Sequence, residues 1–107
     1  MQIWLHPEAV PELNSLPDDH RFVVNTALAI WRRLGRDLQE PHVSALLWSS
    51  ELRLLCPDSG RSPWRVFWAP YGRGAIVLCV GPSEQTNSSG YRFAADTALA
   101  RLRALAL

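Results

Sequence analysis

Residues 51–56 read ELRLLC and residues 64–69 read WRVFWA. Each is a run of strand-forming residues with one guanidinium inside it, Arg53 and Arg65. Alternation along a strand sets Trp64, Val66 and Trp68 on one face and Arg65, Phe67 and Ala69 on the other. If the runs pair so that Cys56 meets Trp64, Arg53 lies opposite Phe67 and diagonal to Arg65, on the same face. Two cations that close, with no acid between them, repel one another, and an anion such as a phosphate relieves the repulsion. The competing reading is structural. A strand arginine commonly pairs with a carboxylate, and Glu51 shares a face with Arg53, or it lies along the sheet with its head in water.

Other reactive residues give weaker patterns. His6, His20 and His42 have no metal-ligand spacing, so they read as surface residues, and no metal or other cofactor is expected. Cys56 and Cys79 both lie in apolar runs and read as buried free thiols of a reducing compartment rather than as a disulfide or a nucleophile. Asn87-Ser88-Ser89 is formally a glycosylation triplet, without meaning in a cytoplasmic protein. No glycine-rich phosphate loop is present.

All eleven cations are arginine. Codon usage in a GC-rich genome accounts for that, although arginine also suits phosphate. Residues 1–50 hold four arginines and six acids, net −2, and residues 51–107 hold seven arginines and four acids, net +3. A mildly basic half can meet a polyanion, but a net charge of +1 is no argument for nucleic acid by itself. The longest uncharged apolar run, Ala75 to Gly81, is far short of the ~20 residues that span a bilayer. The N-terminus has neither a basic segment nor a long apolar stretch, so neither a signal peptide nor a membrane contact is expected. The five tryptophans should mostly be core.

The elements that must position the arginines follow from periodicity. Residues 2–5 suggest a first strand, and residues 7–16 a short helix interrupted by Pro11. Asp18 and Asp19 open a helix running to Leu34, with Val23, Ala27, Ile30 and Leu34 on one stripe, Val24, Leu28 and Trp31 beside it, and Gly35 as its stop. Residues 36–43 read as a connector. Then the period changes. Residues 51–56, 64–69 and 75–80 read as a three-strand antiparallel meander, with turn chemistry at 57–63 and 70–74. A polar loop, 81–90, leads to a last helix capped by Ser89. That helix carries Tyr91, Ala95, Ala98, Leu102 and Leu105 on one stripe. The whole is expected to be one α+β domain over residues 1–107, with the first strand in the same sheet.

In this order the pieces resemble the RelE/HigB superfamily of bacterial toxins, including its phage-derived branch. The resemblance rests on Leu52-Arg53, the turn Asp58-Ser59-Gly60, Trp64-Arg65-Val66-Phe67, and the apolar strand Ile76 to Gly81. "SLPDD" and "LGRDLQEPHVSAL" extend it into the N-terminal half. It implies a mixed sheet with a helical hairpin on one side and a C-terminal helix. It also implies the toxin of a type II toxin–antitoxin system, a ribosome-dependent mRNA endoribonuclease working without a metal. There a ribose 2′-hydroxyl attacks the adjacent phosphate. Related ParE-like members act on gyrase.

Carried over by position, Arg65 matches the arginine that contacts the scissile phosphate, and Arg53 a basic position on the preceding strand. Tyr91 matches a tyrosine at the start of the last helix, able to stack on a base or move a proton, though it also heads the apolar stripe. Arg61, Arg73, Gln85 and Arg92 fall on the RNA-binding side of the resemblance. Where many members have a basic pair, this chain has Ser83-Glu84-Gln85-Thr86. Glu84 then stands either as a general base or as the mark of a fold that binds a protein partner without catalysis. The partners implied are a cognate antitoxin and mRNA on the ribosome, in the cytoplasm; a homodimer is compatible with the resemblance.

Overall fold

A computed structural model of the chain describes residues 1–46 and 49–105. Its centre is a five-stranded mixed sheet in the order β1-β5-β4-β3-β2. The strands are β1 (Ile3–Leu5), β2 (Val43–Leu46), β3 (Ser49–Leu55), β4 (Trp64–Tyr71) and β5 (Gly74–Pro82). β1 runs parallel to β5, and the other neighbours are antiparallel. The helices are α1 (Ala9–Asn14), α2 (Asp18–Leu34) and α3 (Ser88–Leu105). This is the expected small α+β arrangement: a first strand, a helical pair, an antiparallel meander and a C-terminal helix.

Alternation divides the core in two. Val66 and Val77 join α1 and α2 on one face, where Leu13, Val24, Leu28 and Trp31 pack. Phe67 and Leu78 join α3 on the other, where Tyr91, Ala94, Ala95 and Ala98 pack. Phe67 pairs with Cys79 and Trp68 with Val77, so Leu78 is an extra residue on β5. This bulge turns both Leu78 and Cys79 toward α3.

The helices obey local rules. Pro11 is tolerated in α1 because it lies in the first turn, where backbone N–H groups have no partner within the helix. α2 begins with Asp18 and Asp19 and ends with Arg32 and Arg33, matching its dipole, and stops at Gly35 with φ +55°. Asn87 caps α3: its side-chain oxygen accepts the Gly90 N–H at 2.9 Å. The expected cap, Ser89, instead lies within the first turn and donates its hydroxyl to Asn87.

Several expectations are corrected. The stretch after the connector holds a further edge strand, β2. The buried residues of α2 are Val24, Leu28 and Trp31, so its packing face is rotated from the expected stripe, and Ile30 and Leu34 are exposed. The α3 stripe is buried only as far as Ala98, with Leu102 half-buried and Leu105 exposed. Of the tryptophans, Trp31 is buried, Trp64 and Trp68 are half-buried, and Trp4 is exposed; Trp48 lies outside the described residues. Cys56 and Cys79 are buried and free, as expected. Among the described residues no helix is long and apolar enough to cross a membrane.

Candidate functional site

The pairing of β3 with β4 decides which arginines meet. Leu55 pairs with Val66, Leu54 with Phe67 and Arg53 with Trp68. This differs by one residue from the expected register, and one residue is enough to turn a side chain to the other face. Arg53 therefore lies with Trp68 on the α2 side, beside Trp31 and Val43. Its Nη1 donates to the Ser50 and Leu52 carbonyls at 2.6 and 3.2 Å. Arg65 is on the α3 side, so the two cations do not share a surface.

The shift originates in the turn between the strands. Residues Pro57–Gly60 form a short turn kinked at Asp58 and Ser59, both of which have φ +55°. Such left-handed conformations cost about 1–2 kcal/mol per non-glycine residue and persist where neighbours enforce them. Arg65 braces the segment that follows Asp58 and Ser59. Its Nη1 donates to the Ser62 and Trp64 carbonyls, each at 2.8 Å, and its Nη2 to the Gly60 carbonyl at 3.1 Å. Arg61 adds a local pair with Asp58 at 3.0 Å. The guanidinium thus staples the turn along one edge of its fork. Nε and the second Nη2 hydrogen are left over, and no carboxylate pairs with Arg65 among the described residues. Glu51, the expected rival partner, faces Arg103 instead, at 3.7 Å.

Around Arg65 three elements converge. Its partner across β5 is Gly81, where a side chain would collide with Ala94 of α3. The glycine lets α3 close onto the sheet, and that sets Tyr91 against Phe67, ring centroids 5.5 Å apart. Tyr91 is only 8% exposed. Burial pushes its phenol above the ordinary value; the charges of Glu84 and Cys56 push the same way, and Arg65 opposes them. Cys56 follows Leu55 at the end of β3; burial raises its thiol, and again Arg65 works against the rise. Geometry agrees: continuing the β3–β4 register sets Cys56 opposite Arg65, Phe67, two residues along the same face, carries Tyr91, and Glu84 follows Gly81, the β5 partner of Arg65, by three residues. Glu84 and Gln85 are exposed in the turn before α3.

The remaining expected residues spread out. Arg92 is exposed one position beyond Tyr91, and Arg61 is exposed at the stapled turn. Arg73 lies in the β4–β5 turn, about 20 Å from Arg65 at ~3.3 Å per strand residue, and so does not join the cluster. His20 is more than a surface residue, because its Nδ1 accepts the Trp64 indole N–H at 2.9 Å. No group of His, Cys, Asp and Glu suited to a metal occurs among the described residues.

Periodicity gave no signal for a second arginine site. Arg101 of α3 donates to both Glu12 oxygens, at 3.0 and 2.8 Å, and to the Leu78 carbonyl at 2.7 Å. Its Nε lies 3.2 Å from Glu8. Glu12 also accepts the Val80 N–H at 3.1 Å. β1 pairs with β5 only as far as Val77, so the Glu12–Arg101 pair takes up the backbone groups of β5 that β1 leaves open. Burial opposes the charge on Glu12, but the Arg101 hydrogen bonds, the Val80 N–H and the Arg101 charge outweigh it and hold the carboxyl below its ordinary value.

A scan against protein-family models and a search of curated proteins found no match to this chain.

The cluster therefore offers a fixed cation with unused donors, a phenol that stays protonated at neutral pH, and an exposed carboxylate. It can bind an oxyanion and donate a proton beside it.

Proposed function

We propose that the chain is a RelE/HigB-like toxin of a type II toxin–antitoxin system, an endoribonuclease that cuts mRNA on the ribosome. The observation that supports this best is Arg65: a half-buried guanidinium whose hydrogen-bond partners among the described residues are all carbonyls. Carbonyls satisfy N–H groups but leave the positive charge uncompensated. A scissile phosphate supplies the missing anion. In the reaction the 2′-oxygen bonds to phosphorus and the bond to the 5′-oxygen breaks. Arg65 stabilises the charge that develops on the phosphate oxygens. Tyr91, protonated at neutral pH, gives its proton to the leaving 5′-oxygen, and Glu84 takes the proton of the 2′-hydroxyl. A cognate antitoxin holds the protein inactive in the cytoplasm by covering this face.

One observation favours a second reading, a binding module without catalysis. Tyr91 is buried against Phe67, which suits packing as well as proton transfer.

Induced expression with a growth readout, followed by mapping of mRNA ends, separates the two. The toxin reading expects growth arrest and new 5′ ends within translated messages. Arg65→Ala should remove both, and Arg65→Lys should restore only part, since lysine lacks the fork. Harmless expression of the wild-type chain with no new ends would overturn the proposal and leave the binding module.

A further inference from the structure

The face of α2 turned away from the sheet has a symmetry of its own. Thr26 is exposed near the middle of this 17-residue helix. Four residues to either side stand Phe22 and Ile30, both exposed, at 71% and 38%. Seven residues to either side stand Asp19 and Arg33, one acid and one base, both exposed. At about 3.6 residues per turn all five fall on one stripe. The Thr26 hydroxyl is already satisfied, donating to the Phe22 carbonyl at 2.9 Å, so the centre of the stripe asks for no polar partner. Arg33 makes no ion pair among the described residues.

A monomer gains nothing from a phenyl ring left in water beside Ile30 and Leu34. Beside the stripe runs an apolar groove of about 430 Å³ between α2 and the 56–59 turn, with Ala27, Leu38 and Leu55 in its walls.

We infer that α2 pairs with α2 of a second copy of the chain, antiparallel, about a twofold axis at Thr26. An isologous contact requires each surface to complement itself. The stripe does so in both currencies. The twofold brings each Phe22 to the partner copy's Ile30, at the edge of its groove, and each Asp19 to the partner copy's Arg33. Acid meets base twice and ring meets aliphatic side chain twice. A parallel pairing would set Asp19 on Asp19 and Arg33 on Arg33. An unrelated partner would not need the sequence to mirror itself about one residue. The pairing lies on the α2 side of the sheet and uses neither Arg65 nor Tyr91.

The test is sedimentation equilibrium of the purified 107-residue chain with its charge variants, folding being checked by circular dichroism. The wild type should show a reversible monomer–dimer equilibrium. Asp19→Arg alone and Arg33→Asp alone each set like charges against each other twice, and each should weaken the dimer at least about tenfold. The double variant D19R/R33D restores complementarity and should recover dimerisation. Phe22→Ser should abolish it. A wild-type chain that is monomeric up to about 1 mM overturns the inference and leaves the stripe to a different protein. So does a folded double variant no more dimeric than the singles, since only direct Asp19–Arg33 pairing predicts the rescue.

Discussion

Arg65 of β4 and Arg101 of α3 are held in opposite ways. Arg101 is 14% exposed, gripped by both oxygens of Glu12 and flanked by Glu8. Its charge is cancelled where it sits. Arg65 is half-buried too, yet among the described residues it is held by three carbonyl contacts and no carboxylate. Carbonyl dipoles orient a guanidinium and compensate its lost hydration in part, but they bring no countercharge. The first arrangement completes a structure. The second fixes a cation and leaves its charge for something else. Local hydrogen-bond satisfaction is similar in the two; net charge distinguishes them.

The largest expected effect tests that distinction directly. Removing an oxyanion-stabilising donor costs about a hundred- to a thousandfold in rate. Arg65→Ala should lose that much RNA cleavage, measured on translating ribosomes, while remaining folded. Arg101→Ala should leave the cleavage rate per folded molecule unchanged and lower stability instead. If both variants lose activity in proportion to the stability they lose, the comparison fails and Arg65 is another staple.

Stability sharpens the Arg101 side. Glu12→Gln removes the bidentate countercharge and leaves a largely buried guanidinium with only the exposed Glu8 carboxylate beside it, a defect of up to about 3 kcal/mol, read from the urea midpoint. Its pH dependence has a definite sign. Glu12 is held below the ordinary carboxylate value in the folded protein, so the native state binds fewer protons than the unfolded chain there. The stabilisation is full above the ordinary carboxylate range, about pH 4–5, and is lost as pH falls through the lowered folded value. Glu12→Gln should flatten that part of the acid-unfolding curve. A curve that keeps its shape would show that the pair contributes only contacts.

How far the sequence disclosed these sites follows from the physics of each contact. Strand-forming composition in 64–69 and 75–80 is a local property, so the strands and the face of Arg65 were legible. Gly35 and the acidic start of α2 marked that helix's ends for the same reason. Register was not legible. It depends on how the 57–60 turn absorbs its residues, and two consecutive left-handed non-glycine residues there are an uncommon turn conformation. Arg53 changed faces in consequence. β2 was hidden because its four residues, Val43–Leu46, follow a polar connector and carry too short an alternation to read. The Glu12–Arg101 pair joins residues 89 positions apart, beyond the reach of any periodicity. Cys56 was recognised as buried, but its place beside Arg65 needed the register.

The smallest effect is the most diagnostic of charge, because each arginine has a cysteine beside it. Burial raises both thiols: Cys79 is pushed up to about 12, by burial first and then by the Glu12 carboxylate, while Arg101 works against the rise. Cys56 is also raised, with Arg65 working against it. Thiolate fraction governs alkylation, so the pH dependence of alkylation at each cysteine reports the nearby cation. Arg65→Ala should move the Cys56 profile to higher pH and leave Cys79 where it was; Arg101→Ala should do the reverse. A phosphate analogue or a short uncleavable RNA bound at Arg65 would add negative charge beside Cys56, and should raise its profile in the wild type but much less in Arg65→Ala. If Arg65→Ala leaves Cys56 unmoved, the charge on Arg65 is already cancelled in the free protein. The two arginines would then be alike, and the phosphate site would lose its physical basis.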